Sequence, residues 1–350
     1  MAAAPLSDLE AGVAAEQPPG LILRRLVAED NGEEQELVAC PACRSSDSVV
    51  ELETVDWLMG KPGKYRVVRC GRCELRFLNP RPAPEALGAH YPDNYFCYTN
   101  FEGEHGFLRK AMGDLQRKLS LTRLRSIERA RGRLSPGSEV LDVGCGRGDL
   151  LDCLRRERGC RVLGIDFNAN VAATVQQQLG IDVIAGTLAS AALEAARFDL
   201  VVMAEYLEHE PDPQCVLKEA LRVLRPGGHI AIEVPDISGP PARLFGRFWW
   251  QLDAPRHLMF FTPATLSKML EGAGFEIVRV RRFSRFGSMG YSLLQRFGYR
   301  YAGSNPFFYL SLATLLNLPF APFMFLLPDF MFIVARKPLA LPSPTTSTPR

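Results

Sequence analysis

The chain has 350 residues, of which 47% are hydrophobic and 23% are charged, and this composition is typical of a globular protein with about two domains. Its formal net charge of +2 argues against a general nucleic-acid-binding protein, whose domains are clearly basic. The first twenty residues carry acidic side chains and lack a basic segment followed by an apolar one, which argues against a secretory signal. We therefore expect a cytoplasmic protein without a nucleic-acid partner.

Both ends of the chain are poor in regular patterning. Residues 1–36 are rich in Ala, Pro, Gly and Glu, and residues 338–350 are rich in Pro, Ser and Thr. Such segments bury too little apolar surface to offset the entropy lost on ordering. The sequence predicts that both are disordered.

Four cysteines form two short pairs in the next segment, residues 37–80. Cys40 and Cys43 make one C-x-x-C pair, and Cys70 and Cys73 make the other. Two such pairs together provide four thiolates for a tetrahedral ion, and thiolates favour zinc. A redox-active pair is the alternative, but it needs one C-x-x-C within a thioredoxin-like pattern. We predict a structural zinc site in this segment, which is called the cysteine module below.

A helical connector is predicted over residues 81–135. Its apolar positions recur at helical spacing between Leu108 and Ile127, and Gly132 is expected to end the helix. The basic residues of this helix, Arg123 among them, indicate a solvated face, with contact to a phosphate-bearing substrate or lipid surface as the alternative.

Short apolar runs alternate with helix-length segments over residues 136–337. The runs are residues 139–144, 161–167, 182–186, 198–204, 229–235, 275–281 and 330–336. This alternation predicts a mostly parallel sheet with helices on both faces, which is the doubly wound, Rossmann-like α/β class. Ligands of such sheets bind at the carboxyl ends of the strands.

A glycine-rich turn follows the first of these runs. Gly144, Gly146 and Gly148 follow Asp142, and Asp166 ends the next strand. A dinucleotide-binding turn has the spacing G-x-G-x-x-G and cradles an anionic pyrophosphate. Here the spacing is G-x-G-x-G and a carboxylate adjoins the turn, which favours a cationic ligand, although a Rossmann turn that binds NAD is the alternative.

These motifs resemble those of the class I S-adenosylmethionine-dependent methyltransferases. The similar stretches are residues 142–148, 164–166, 198–209, 224–229 and 255–266. The resemblance implies that the three glycines form the cofactor loop, that Asp166 binds the ribose, and that the last two strands form an antiparallel edge hairpin. We add Cys145, Phe167 and Glu205 to the predicted cofactor contacts, with a structural role as the alternative for Glu205.

The end of the cysteine module also resembles the N-terminal regions of some bacterial sugar and small-molecule methyltransferases. The stretches that carry this second resemblance are residues 75–82 and 91–96. Some members of that group act on nucleotide-linked sugars, but they also have a long C-terminal domain that is not found in this sequence. The resemblance implies a small-molecule or sugar-linked acceptor, and the apolar segment described below adds a lipid-linked acceptor as a possibility.

Two histidines follow strands at the carboxyl edge of the predicted sheet. His209 follows the fourth strand and His257 follows the fifth. Either could act as a general base when the acceptor must lose a proton. The alternative for each is a structural hydrogen bond that fixes its loop.

An apolar segment, residues 301–328, contains no charged residue. Its length permits a membrane span, but it lies between two strands of one sheet, so the chain cannot cross a bilayer once and rejoin that sheet. The alternatives are a helical pair buried in protein, peripheral contact with the inner face of a membrane, and a lid over an apolar substrate. Basic residues precede the segment and favour anionic lipids.

The sequence therefore predicts an S-adenosylmethionine-dependent methyltransferase with a structural zinc ion. One alternative is a catalytically inactive protein that uses this fold for binding or assembly. The other is a protein or nucleic-acid methyltransferase.

Overall fold

A computed structural model describes residues 21–91, 106–285, 287–301 and 306–339. It contains two small antiparallel sheets and one seven-stranded sheet that is flanked by helices. The strands are β1 (Ile22–Val27), β2 (Glu34–Val38), β3 (Ser48–Val55), β4 (Lys64–Cys70), β5 (Arg76–Leu78), β6 (Arg81–Pro82), β7 (Glu139–Val143), β8 (Arg161–Asp166), β9 (Val183–Ala185), β10 (Phe198–Ala204), β11 (Leu224–Pro235), β12 (Met259–Phe260), β13 (Glu276–Phe283) and β14 (Phe330–Arg336). The helices are α1 (Pro84–Leu87), α2 (Gly106–Arg131), α3 (Asp149–Arg158), α4 (Ala169–Leu179), α5 (Pro213–Val223), α6 (Pro240–Phe245), α7 (Pro263–Gly272), α8 (Ser288–Arg296) and α9 (Pro306–Asn317).

The seven-stranded sheet has the order β13–β14–β11–β10–β7–β8–β9. Strands β7 to β11 pair in parallel, and β14 pairs antiparallel with both β11 and β13. The prediction of a doubly wound sheet with an antiparallel edge hairpin is confirmed. Central strands of such a sheet are covered by helices on both faces, so their sequences are continuous apolar runs.

Local sequence signals explain where several helices begin and end. Helix α2 ends at Arg131, directly before Gly132, and α3 occupies the predicted residues 149–158. Helix α7 begins with a proline after Thr262, whose side chain accepts a hydrogen bond from the backbone N–H of Thr265. A capping oxygen and a proline in the first turn together define a helix start.

The two small sheets differ from the expectation for the N-terminal segment. Strands β1 and β2 lie within residues 21–38, although the sequence predicts disorder over residues 1–36. Glu36 is fully buried in β2 and forms an ion pair with Arg81 of β6, the strand that pairs with β2. The order of this segment therefore depends on a distant strand, which local composition does not reveal.

The cysteine module packs directly on the large domain. Strand β12 pairs with β5, so part of the chain that follows the fifth parallel strand completes the four-stranded sheet of the module. Buried side chains from both parts, Phe77 and Trp249 among them, belong to one hydrophobic core. Arg256 is fully buried and binds Asp56 at 2.7 Å and Asp253 at 2.6 Å. The module is thus a part of the wall beside the carboxyl edge of the sheet.

The apolar segment leaves the large sheet after β13 and returns to it at β14. It contains α9 and a 3-10 helical stretch, Leu318–Leu326. Phe308–Leu326 is apolar and long enough to cross a membrane by length and composition, yet only 17% of its apolar window is buried. Because β13 and β14 are antiparallel neighbours, the segment starts and ends on the same side of the protein.

Candidate active site

The glycine loop lies between β7 and α3, at the carboxyl end of the central parallel strand. Gly144, Gly146 and Gly148 have φ angles of +74°, +49° and +74°, which side chains with a Cβ rarely adopt. A Cβ at Gly144 would lie 2.6 Å from the ring of Tyr206, whereas one at Gly146 would meet nothing within 4 Å. The loop thus exposes backbone to an open region on one side and packs closely against Tyr206 on the other.

Asp142 lies beneath this loop, and its carboxylate accepts no hydrogen bond from the residues that the structure describes. Its side chain is 3% exposed, and no hydrogen bond within the described part of the chain reaches the carboxylate. Burial raises its pKa to about 7, Asp166 contributes in the same direction, and Arg123 opposes both. A buried carboxylate of this kind is stabilised by a cationic ligand that donates hydrogen bonds.

Asp166 ends β8 and holds the loop from the neighbouring strand. One carboxylate oxygen accepts a hydrogen bond of 2.9 Å from the backbone N–H of Gly146, and the other accepts one of 3.0 Å from Asn168. Burial raises its pKa, and these two hydrogen bonds lower it. Each oxygen keeps a further lone pair, so the carboxylate can still accept from two hydroxyl groups.

Phe167 and Cys145, two further predicted cofactor contacts, differ in their exposure to solvent. Phe167 is 58% exposed, and its ring meets the ring of Tyr91 edge-on, with centroids 5.7 Å apart. Cys145 is buried beneath the loop, and its sulfur lies 2.7 Å from the place where a Cβ on Gly164 would be. Its backbone N–H donates to the carbonyl of Ile165. Their contact with a cofactor stays a prediction.

Glu205 belongs to a cluster of two arginines and two glutamates. Arg123 binds Glu205 at 3.0 Å and Glu233 at 2.9 Å, and Arg285 binds both carboxylates as well. Burial raises the pKa of Glu205, but Arg285 and Arg123 outweigh it and bring that pKa to about 2. Glu205 also has a φ of +57°. The carboxylate is thus occupied by arginines, and its contact with a cofactor stays a prediction.

Sequence reasoning missed both arginines of this cluster. Arg123 lies on α2 among the basic residues that were assigned to a solvated face, but its side chain is only 21% exposed. Arg285 follows β13, immediately before the apolar segment. The only available signal was a pair of glutamates that needed cationic partners, of which Glu233 is buried and Glu205 is partly exposed.

The two predicted histidines are brought together. The rings of His209 and His257 meet edge-on with centroids 4.6 Å apart. Burial lowers the pKa of His209 to about 3 and that of His257 to about 4, so both rings are neutral at pH 7. The Nδ1 atom of His209 also lies 2.9 Å from the hydroxyl of Tyr91, which connects this pair to Phe167 and the ribose side of the site. Their catalytic role stays a prediction.

The four cysteines of the module converge as predicted. The sulfurs of Cys40 and Cys73 are 3.4 Å apart, those of Cys43 and Cys70 are 3.5 Å apart, and all four lie within 4.8 Å of one another. None is in a disulfide. Sulfurs around a zinc ion at about 2.3 Å are about 3.8 Å apart, so this arrangement is compatible with a tetrahedral ion.

The comparisons with known proteins agree with the geometry of the glycine loop. A family model described as a methyltransferase domain matches residues 113–280. Residues 113–280 carry a methyltransferase domain, as the sequence predicts. The match covers most of the connector helix, the glycine loop and the strands of the parallel sheet.

Two curated relatives and one solved structure show how far this similarity extends. The chain is 36% identical over 157 residues to a ubiquinone biosynthesis O-methyltransferase of Psychrobacter arcticus, a match of 40% of this chain and 59% of that protein. It is 34% identical over 149 residues to a probable S-adenosylmethionine-dependent methyltransferase of Mycolicibacterium smegmatis, with 40% and 53% covered. A phosphoethanolamine N-methyltransferase 2 of Haemonchus contortus, solved with S-adenosyl-L-methionine, superposes with a TM-score of 0.51 at 16% identity, over 90% of this chain and 71% of that one.

These similarities cover only part of the chain. The chain spans somewhat more than half the length of these two curated relatives. The family model leaves the cysteine module and the apolar segment outside its match. The solved structure, at 16% identity, supports the fold alone.

Proposed function

We propose that this protein transfers a methyl group from S-adenosylmethionine to an oxygen of a small apolar acceptor. The observation that carries the cofactor assignment is the buried carboxylate of Asp142 beneath an open glycine loop, which has no hydrogen-bonding partner among the described residues. The names of the ubiquinone biosynthesis relatives support an oxygen acceptor. Bound S-adenosylmethionine supplies a methyl group that is activated by attachment to a sulfonium.

Each predicted contact has a physical reason. Asp142 would accept hydrogen bonds from the cofactor ammonium, because this pairing offsets the cost of burying its charge. Asp166 would accept from the ribose hydroxyls while it holds the loop through Gly146. Tyr206 packs against Gly144 and keeps the loop in the conformation that exposes its backbone. Methyl transfer then depends mainly on holding the acceptor in line with the methyl group.

The cofactor assignment is tested by titrating purified protein with S-adenosylhomocysteine. We expect saturable binding by the wild-type protein and weaker binding by Asp166→Ala. Asp182→Ala is the matched control, because Asp182 is exposed and lies outside the loop. Absence of binding by the wild-type protein, or equal binding by Asp166→Ala, would contradict the proposal.

The transferase activity needs its own experiment. Protein and labelled S-adenosylmethionine are incubated with separated membrane and soluble extracts, and the labelled products are fractionated. We expect label in an apolar product from the membrane fraction. Cofactor binding without any labelled product would favour the alternative of an inactive assembly protein, and label in protein or nucleic acid would favour the alternative polymer substrate.

We also propose that the cysteine module holds one structural zinc ion. The four sulfurs fill all positions of a tetrahedral ion, which leaves no position for a substrate. Its role would be to fix the module, and hence the wall beside the active site. This zinc would not take part in methyl transfer.

The apolar segment is proposed to contact a membrane surface peripherally, where an apolar acceptor would be dissolved. Its exposed side chains include Phe323 and Phe325, which are 55% and 78% exposed. An apolar surface of this kind, with Arg296 and Arg300 nearby in sequence, is suited to the headgroup region of an anionic bilayer. The antiparallel pairing of β13 with β14 favours surface contact over a single crossing.

Vesicle flotation tests this contact. We expect the wild-type protein to float with vesicles of phosphatidylglycerol, and a Phe323→Asp, Phe325→Asp double variant to stay in solution. Leu339→Asp is the control, because Leu339 is 67% exposed but lies beyond β14. If the wild-type protein fails to float, or if the double variant floats equally well, the segment has another role.

A further inference from the structure

We infer that Glu208, His209 and His257 form a second metal site, distinct from the four cysteines, which binds a divalent transition-metal ion such as zinc. One ligand atom from each of these side chains lies within 4.8 Å of the other two. Two imidazoles and one carboxylate are a common protein ligand set for such an ion, and this set leaves a coordination position open for substrate.

The carboxylate of Glu208 is the strongest indication. The residue is 1% exposed, and neither of its oxygens has a hydrogen-bonding partner within the described residues. A buried carboxylate without donors is costly unless a cation compensates it. The arginines of the neighbouring cluster bind Glu205 and Glu233 instead. Glu208 is therefore a buried acceptor that lacks a cation.

The two imidazoles are oriented as metal ligands usually are. The Nδ1 of His257 lies 2.8 Å from the carbonyl oxygen of Gln251, and the Nδ1 of His209 lies 3.0 Å from the carbonyl oxygen of Arg256. A carbonyl can only accept, so these contacts favour a proton on each Nδ1 and a lone pair on Nε2. The hydroxyl oxygen of Tyr91, 2.9 Å from the Nδ1 of His209, then accepts from the same N–H. Histidine ligands commonly have such a second hydrogen bond, which fixes the tautomer and the ring plane.

The distances are those of a site that holds no ion. Ligand atoms around zinc at about 2.1 Å are separated by about 3.4 Å, so the three ligand atoms, which lie within 4.8 Å of one another, would have to move closer together to hold the ion. The backbone around the site is held from several sides. Arg256, next to His257, is fixed by Asp56 of the cysteine module, and the Glu208 carbonyl accepts from Leu258 at 2.8 Å.

The site lies next to the cofactor region. Glu208 and His209 follow Tyr206, which packs on Gly144, and Tyr91 joins His209 to Phe167 directly after Asp166. An acceptor hydroxyl on the open coordination position would become more acidic, as metal-bound water does. This role rests on the proposed function, whereas metal binding does not.

The methyl transfer step would then balance without a base of high pKa. The acceptor hydroxyl would release its proton to water, and its oxygen would form a bond to the methyl carbon. The bond from that carbon to sulfur would break, and the electron pair would stay on sulfur, which would become a neutral thioether.

Metal content tests the inference. Wild-type protein and the variants Glu208→Gln and His257→Gln are saturated with zinc, dialysed, and analysed for metal. We expect about two zinc ions per chain in the wild-type protein and about one in each variant, because the cysteine site remains. His229→Gln is the matched control, because it removes an imidazole within β11, outside the proposed ligand set, and should keep both ions.

X-ray absorption of the bound zinc identifies the ligands. We expect sulfur together with nitrogen or oxygen neighbours in the wild-type protein, and sulfur alone in Glu208→Gln. A wild-type protein that binds only one zinc, or variants that keep both ions, would overturn the inference. Titration of the same samples with S-adenosylhomocysteine separates the two proposals: cofactor binding without a second metal refutes this site and leaves the proposed function in place. A second metal without methyl transfer refutes the function.

Discussion

Replacing Asp142 by Asn should stabilise the protein that lacks cofactor and should weaken cofactor binding. The substitution keeps the shape of the side chain and removes a charge that is buried without a hydrogen-bonding partner. Most substitutions at buried polar sites destabilise a protein. Here we expect the free energy of unfolding to increase instead. This gain distinguishes a carboxylate that binds a ligand from one that stabilises the fold.

The magnitude follows from the raised pKa of Asp142, which burial brings from an ordinary 3.8 to about 7. At about 1.4 kcal/mol for each pKa unit, the folded state disfavours the charged carboxylate by about 4 kcal/mol. A raised pKa favours the folded state at low pH, and this contribution is lost as the pH rises from about 4 to about 7. The gain in stability of Asp142→Asn over wild type should therefore be small near pH 4 and reach about 4 kcal/mol above pH 7.

Urea denaturation at several pH values measures this gain as a difference between two proteins. Using the difference removes the effect of other titrating groups, including the zinc site. Titration with S-adenosylhomocysteine gives the second half of the prediction. A lost charge-assisted hydrogen bond should weaken binding about tenfold to a hundredfold at pH 8. The wild-type affinity should fall as the pH decreases below about 7, and that of the variant should stay constant.

Asp182→Asn serves as the control, because Asp182 is exposed and should change neither quantity. Equal stability of Asp142→Asn and wild type at pH 8 would refute the argument from burial. Unchanged affinity for S-adenosylhomocysteine would refute the argument that Asp142 receives the cofactor.

Three further variants test other parts of the structure. Cys70→Ser should remove about one zinc per chain and lower the midpoint of thermal unfolding, because the module and the domain share one core. Arg285→Ala should cost about 3 kcal/mol in urea denaturation, since Glu205 and Glu233 would be left with Arg123 alone. Gly144→Ala should abolish binding of S-adenosylhomocysteine, because its Cβ would lie 2.6 Å from the Tyr206 ring at a φ of +74°.

Each of these variants has a matched control. Cys215→Ser changes an exposed cysteine outside the module and should keep the zinc. Arg285→Lys keeps the charge without the planar fork and should recover only part of the lost stability. Gly180 has a φ of +61°, and a Cβ added to it would meet no atom within 4 Å. Gly180→Ala should therefore lower stability through backbone strain but keep cofactor binding. Zinc retained by Cys70→Ser, full stability of Arg285→Ala, or normal binding by Gly144→Ala would contradict the respective argument.

The chemistry of the cofactor loop was predictable because it depends on neighbours in sequence. Gly144, Gly146 and Gly148 signal a turn that needs positive φ angles, and Asp142 and Asp166 end two adjacent parallel strands. The carboxyl ends of such strands lie at one edge of a sheet, so their proximity follows from topology. The four cysteines were predictable in the same way, because each pair is a local chelating unit.

The partners of buried charges were not predictable. Arg123 lies on a helix full of basic residues, and nothing in its local sequence distinguishes it from the solvated ones. Arg285 binds the same two glutamates, although it follows them in the sequence whereas Arg123 precedes them. Packing between elements that are distant in the sequence decides which of the many arginines is removed from water.

The sequence by itself determined the parallel sheet, its edge hairpin, the glycine loop and the two cysteine pairs, because periodicity and short-range spacing encode them. Only the tertiary structure decided three other features. It ordered β1 and β2 through pairing with β6, and it attached the module to the domain through β12 and β5. It also placed Glu208 beside two histidines from different loops. All three depend on contacts between residues far apart in the chain, and such contacts leave no periodic trace in the sequence.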